Sequence, residues 1–157
     1  MNADQTKTLV DETWSSSIVP TIEQYIRIPN QSPLFDPDWK RNDELFSPGA
    51  RMVRINDNGI FEFQNQDEYR KNFEQMIASG DLPSFWEGEI WRRTDLFGDM
   101  AHVLSGYETR KSRDGDFLNR GVNSIQLFRR DGHWKISAMI WRREGRDIKI
   151  PTTAPAK

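Results

Sequence analysis

The sequence predicts an α+β domain in which helices come first and then cover one face of a long antiparallel sheet. Three observations predict it. Apolar residues recur at helical spacing in two stretches before residue 80, and from residue 85 onward the period shortens to the alternation of strands. The pairs Gly98-Asp99 and Asp131-Gly132 are tight-turn sequences that divide this second half into hairpins. A chain of 157 residues with no internal repeat is the size of one domain, and folding can bury roughly 70% of its unfolded surface.

Val10, Trp14, Ile18, Ile22 and Ile26 stand every four positions within residues 8–28, an amphipathic period that Pro20 must kink or split. Residues 28–38 place Pro29, Pro33 and Pro37 among Asn, Gln and Ser and read as an ordered loop. Asp36 as N-cap, with Pro37 in the first helical position, starts a short helix through Trp39, Leu45 and Phe46 that stops at Ser47-Pro48-Gly49. Residues 51–55 and 60–64 form a hairpin about Asn56-Asp57-Asn58-Gly59. Asn65 and Glu68 make a capping box, and Tyr69, Phe73, Met76 and Ile77 share one face of the helix that follows, up to Gly80. Residues 85–97, 100–110, 121–130 and 133–143 are four strands, with a charged loop over 111–119. Together these make one domain over residues 1–146, a helical cover at 8–46 and a sheet-rich body at 50–144; residues 147–157 read as a flexible tail.

Composition bounds the function. The absence of cysteine excludes disulfides, thiolate nucleophiles and cysteine-ligated metals, and makes the cytoplasm the expected compartment. Apolar runs of only a few residues leave no membrane span and no secretory segment. A net charge of −2 argues against a chain built to coat nucleic acid. The charge is uneven, however: residues 1–87 carry 8 Lys and Arg against 15 Asp and Glu, and residues 88–157 carry 14 against 9. Two complementary halves of a domain or dimer explain this, as does an anion-binding face. His102 and His133 stand in no ligand spacing and no glycine-rich phosphate loop occurs, so neither metal nor cofactor is expected. Six Trp and nine Phe demand a large core, pocket or interface.

Turn chemistry sets the expected register. A two-residue turn at Asp131-Gly132 pairs Arg129 with Trp134, Leu127 with Ile136, Ile125 with Ala138 and Asn123 with Ile140 on the covered face, leaving Ser124/Met139 and Val122/Trp141 outside. A turn at Gly98-Asp99 pairs Leu96/Ala101, Thr94/Val103, Arg92/Ser105 and Ile90/Tyr107 inward, with Asp95/His102, Trp91/Gly106 and Glu89/Glu108 outward. Arg92, Ser105, Tyr107 and Asn123 then line an apolar concavity with a few convergent polar groups and are the candidate ligand-binding residues. Each also has an ordinary reading: Tyr107 as a core tyrosine, Asn123 bonded to backbone, Arg92 reaching solvent from a strand end. The Asp95/His102 pair suits an orienting carboxylate and base, or a surface hydrogen bond. No residue is singled out as catalytic. Outer-face Trp91, Met139 and Trp141 would form an apolar patch that a homodimer covers.

The segments Leu45-Phe46-Ser47-Pro48-Gly49-Ala50-Arg51, Phe97-Gly98-Asp99-Met100-Ala101-His102-Val103, Ser105-Gly106-Tyr107-Glu108, Arg120-Gly121-Val122-Asn123-Ser124-Ile125-Gln126-Leu127 and Gly132-His133-Trp134-Lys135-Ile136, with Trp141, resemble the nuclear-transport-factor-2-like superfamily in its SnoaL-like branch over residues 39–144. The resemblance implies a cone of curved antiparallel sheet closed by helices, an apolar cavity, and dimerisation through the outer sheet face. Enzymes of that superfamily place an Asp, or a His with an Asp, inside the cone. The inner face predicted here holds no carboxylate, which turns the reading toward binding. A second segment, from Ser17-Ile18-Val19-Pro20 through Tyr25-Ile26-Arg27-Ile28-Pro29-Asn30-Gln31-Ser32-Pro33 to Asp36-Pro37-Asp38-Trp39, is similar to the start of aminoacylase-type zinc dipeptidases, but their His-x-Asp and later metal ligands have no counterpart. The expected function is therefore binding of a small apolar or amphipathic molecule by a homodimer. Its rivals are a SnoaL-type cyclase, isomerase or dehydratase using Tyr107 on a carbonyl, and a dimeric interaction module with a filled cavity.

Overall fold

Asn2 starts the first helix, six residues before the expected position. Its side chain accepts from the Gln5 N–H at 2.8 Å while the Gln5 side chain accepts from the Asn2 N–H at 3.0 Å, a capping box that begins α1 (Ala3–Ser15). The computed structural model describes residues 2–16, 39–79 and 86–156. Ile18, Pro20, Ile22, Ile26, the Asp36-Pro37 start signal, Gly80, the Ile77 side chain and nearly all of the peptidase-like segment lie outside the described residues. After α1 come α2 (Trp39–Leu45), β1 (Phe46–Ile55), β2 (Phe61–Gln64), α3 (Gln66–Ser79), β3 (Trp86–Phe97), β4 (Met100–Arg110), β5 (Phe117–Arg130) and β6 (His133–Arg143). The capping box at Asn65 and Glu68 forms as the sequence predicts, with bonds of 2.7 and 2.9 Å.

The strands form one curved, unclosed sheet in the order β2-β1-β6-β5-β4-β3. The expected antiparallel sheet is in fact mixed, because β1 runs parallel to β6. β1 also begins at Phe46, so Ser47-Pro48-Gly49 is strand with a register shift rather than the end of a helix. Positive φ at both Asp131 (52°) and Gly132 (79°) makes the β5–β6 turn type I′, and positive φ at Gly98 (56°) fits type II′ between β3 and β4. The two turns lie at one end of the sheet, joined by the Arg129 N–H donating to the Asp99 carbonyl at 2.9 Å and Arg129 Nε donating to its carboxylate at 2.7 Å.

Two bulges correct the predicted faces. In β3 the pairing steps from Glu89–Tyr107 to Trp91–Gly106, so Ile90 is the extra residue and Glu89 faces inward with Glu87 behind it. In β6 the pairing steps from Leu127–Ile136 to Gln126–Ala138, so Ser137 is extra and Met139 and Trp141 turn inward opposite Ile125 and Asn123. Met139 is fully buried. The expected outer patch of Trp91, Met139 and Trp141 therefore does not exist. Trp91 alone lies outside, its indole against Gly106 with no room for a Cβ there, and its Nε1 donates to the Pro151 carbonyl at 2.8 Å. The chain after β6 runs over this face, and Arg93 Nη1 donates to the carbonyls of Pro155 and Ala156. These contacts engage the segment that composition marks as a fraying tail.

Across the inner face the strands stack side chains in rows. Next to the Arg129–Trp134 pair at the turns, Leu96, Ala101, Leu127 and Ile136 form one row, and Thr94, Val103, Ile125, Met139, Met52 and Gln64 the next. Val10 and Trp14 of α1, both wholly buried, cap this apolar end together with Leu45, Phe46 and Trp134. The following rows turn polar: Arg92, Ser105, Asn123, Trp141, Arg54 and Glu62, then Glu89, Tyr107, Gly121 and Arg143.

Candidate ligand cavity

The polar rows are divided between two environments. Under α1, Glu89 gathers donors: Arg92 through Nε at 3.0 Å and Nη2 at 2.8 Å, Ser105 Oγ at 2.5 Å and Trp14 Nε1 at 3.1 Å. Arg92 also donates to the Asp11 carbonyl (2.8 Å) and to Ser15 Oγ (2.8 Å), and Thr94 Oγ1 donates to the Asp11 carboxylate at 2.5 Å. These groups satisfy one another, as buried polar groups must. Arg92 and Ser105, two of the four predicted ligand residues, are thus occupied, Arg92 in tying α1 to β3 and Ser105 in its bond to Glu89.

Tyr107 and Asn123 stand on the other side of the division. They face the same way, one row apart on β4 and β5, and both line a cavity of about 1050 Å³ between the open end of the sheet and α3. The Tyr107 ring crosses Gly121, where a Cβ would also meet the Arg142 carbonyl at 2.6 Å, so the site requires glycine at this close approach. Asn123 is buried and its Nδ2 has no hydrogen-bond partner. An orphaned buried donor costs roughly 1–3 kcal/mol, which an acceptor entering the cavity would recover. The roof is aromatic: Trp39, Tyr69 and Phe73 pack with ring centroids 5.9 to 6.5 Å apart, and Tyr69 meets Trp141 edge-on at 6.0 Å.

The missed residue is Glu87. It lines the cavity opposite Thr109, and burial pushes its carboxyl up to about 8. At neutral pH it is therefore mostly a neutral acid able to donate. Burial, and then the charge of Glu87, hold both Tyr69 and Tyr107 well above the usual tyrosine range; Arg143 and Arg54 pull Tyr107 the other way. A signal for the inward turn of Glu87 and Glu89 was present in the tandem apolar pair Ile90-Trp91, which breaks alternation where the bulge sits. Outside the cavity, His102 Nε2 meets Ser124 Oγ at 2.9 Å and the Asp95 carboxylate accepts from Arg93 Nε at 3.1 Å. Among the described residues no group of three His, Asp or Glu side chains is placed to hold a metal ion.

No protein-family profile and no curated protein sequence matches the chain. Solved structures do. A protein from Nostoc punctiforme with a cystatin-like fold superposes with a TM-score of 0.64 at 13% identity, over 92% of this chain and 94% of that one. An NTF2-like protein from Pseudomonas putida gives 0.63 at 10% identity, over 88% and 87%. The hexachlorocyclohexane dehydrochlorinase LinA-type3 from Novosphingobium barchaimii gives 0.61 at 13% identity, over 88% and 86%. Likeness at such identities is likeness of fold, and the fold of this chain is the nuclear-transport-factor-2-like one.

Proposed function

We propose that the chain binds a small amphipathic carbonyl compound in this cavity and shifts a proton on it, in the manner of a SnoaL-type isomerase, cyclase or dehydratase. The observation that carries this reading is Glu87, a carboxyl group whose burial brings its proton affinity close to neutral pH inside the cavity that Tyr107 and Asn123 also line. The roles follow from chemistry. Tyr107, kept protonated, and the unpaired Asn123 amide are donors suited to a carbonyl oxygen that gains charge as an α-proton leaves. Glu87, in its ionised fraction, takes that proton and in its neutral form returns one. Leu118, Phe73, Met76 and Trp141 supply the apolar walls. A cytoplasmic setting belongs to the same proposal and rests on the cysteine-free composition.

The test is exchange of α-hydrogens of small cyclic ketones in D₂O, followed by NMR. Wild-type protein is expected to accelerate exchange of at least one ketone, and Glu87→Gln to lower that rate by about 10²-fold or more while binding persists. Ketones that bind without exchange would leave a binding protein, the second reading, and overturn the catalytic one.

Assembly is a separate proposal. By register Phe61 and Phe63 of β2 and Ile140 of β6 lie on the outer sheet face, 58%, 74% and 42% exposed, with Val53 between them. A homodimer across this band would cover it. Sedimentation at tens of micromolar should show a dimer for wild type and a folded monomer for Phe63→Glu; a monomeric wild type sinks the idea.

A further inference from the structure

The cavity mixes its apolar wall with two guanidinium groups, and these say something about the ligand. Arg54 on β1 sits opposite Trp141, and Arg143 follows two residues beyond Trp141 on β6, so both line the cavity from adjacent strands. Each has an acidic neighbour, but the pairs are weak in kind. Arg54 Nη1 lies 3.5 Å from Glu62, and Arg143 Nη2 lies 3.2 Å from Asp57, with all four side chains at least 38% exposed. Exposed pairs of this sort add little to stability and yield readily to a better partner. The planar fork of arginine prefers an oxyanion gripped by two N–H groups.

Glu62 offsets Arg54 only through that long, exposed contact, Asp57 lies outside the cavity lining, and Glu87 is mostly protonated at neutral pH, so the two guanidinium groups outnumber the ionised carboxylates of the wall. Asn123 also lines the cavity and its buried amide donor has no partner; Trp141 stands between it and Arg54 across the sheet, and Phe73 and Met76 line the same cavity from α3.

We infer that the cavity takes an anionic amphiphile: an apolar body against Phe73, Met76 and Trp141, an acidic group held by Arg54 and Arg143, and a hydrogen-bond acceptor at Asn123. This rests on the cavity being a ligand site, as proposed above, and not on the proton transfer. It narrows the substrate class to a carbonyl compound that also carries an acid group.

Two fluorescent probes sharing a ring scaffold test it, 8-anilinonaphthalene-1-sulfonate and neutral N-phenyl-1-naphthylamine, titrated into folded protein whose thermal transition is checked alongside. The sulfonate is expected to bind at least tenfold more tightly than the neutral probe. Arg54→Met with Arg143→Met should remove that advantage and leave the neutral probe's affinity unchanged, while Arg54→Lys with Arg143→Lys retains most of it. Equal affinities in wild type, or a sulfonate affinity indifferent to the double Met variant, overturn the anionic class and leave the cavity a ligand site. If neither probe binds, the ligand-site reading fails and the inference falls with it.

Discussion

Glu87→Gln is expected to be more stable than the wild type at pH 9 and equal to it at pH 4, in urea unfolding followed by far-ultraviolet dichroism. The sign follows from linkage. Glu87 titrates near 4.5 when the chain is unfolded and at about 8 when folded, so between those values the unfolded state releases a proton that the folded state keeps. Stability is lost progressively as pH rises through that window and stays lost above it. Each unit of displacement corresponds to about 1.4 kcal/mol. Because the side chain is only half-buried and lines the cavity, the cost is discounted to on the order of 2 kcal/mol at pH 9. Glutamine has the shape but not the ionisation, and escapes the cost. Curves that coincide at both pH values would mean that Glu87 is solvated like a surface residue, and the general-acid role would lose its basis.

Glu89→Ala, two residues along the same strand, should do the reverse. Glu89 accepts from Arg92, Ser105 and Trp14 together. Truncation removes the acceptor that a guanidinium, a hydroxyl and an indole N–H share beneath α1 while Arg92 keeps Asp11 and Ser15, so a loss of about 2–3 kcal/mol is expected. The loss should be visible in urea unfolding and as faster proteolytic cleavage within residues 2–16, since the Arg92 and Trp14 bonds, with Thr94–Asp11, tie α1 to β3 and Glu89 organises the first two. A loss below about 1 kcal/mol would show that Val10 and Trp14 packing and the bonds to Asp11 and Ser15 hold α1 without Glu89. Opposite signs at Glu87 and Glu89 separate a residue kept at a cost from one kept for cohesion.

Much of this was legible from local chemistry. Glycine-bearing turns, the Asn65–Glu68 box and the inward face of Val103, Ser105, Tyr107, Asn123 and Ile125 all depend on neighbours within one hairpin or one helical turn, and the structure has them as the sequence predicts. Glu87, Met139 and Trp141 were not legible from turn type, because one extra residue at Ile90 or Ser137 inverts every side chain beyond it. In β6 the clue was spacing: Trp134 and Ile136 keep one parity, Met139 and Trp141 the other, with the small pair Ser137-Ala138 between. The division of Arg92 and Ser105 from Tyr107 and Asn123 depends on where α1 lands, which no strand pattern encodes. Nor does any local signal specify that β1 pairs with β6.

That parallel pairing bears on how the chain reaches its fold. Hairpins β3–β4 and β5–β6 can form as soon as they leave the ribosome, whereas Met52 must wait for Met139 before its strand has a neighbour on that side. Pairings so distant in sequence pay loop-closure entropy before they return any stability, and they slow folding. Until β6 is synthesised, Phe46, Ala50 and Met52 have no core to enter. Translation thus imposes an interval in which β1 is open to misassociation, and completion of the sheet is necessarily a late event in the life of the nascent chain.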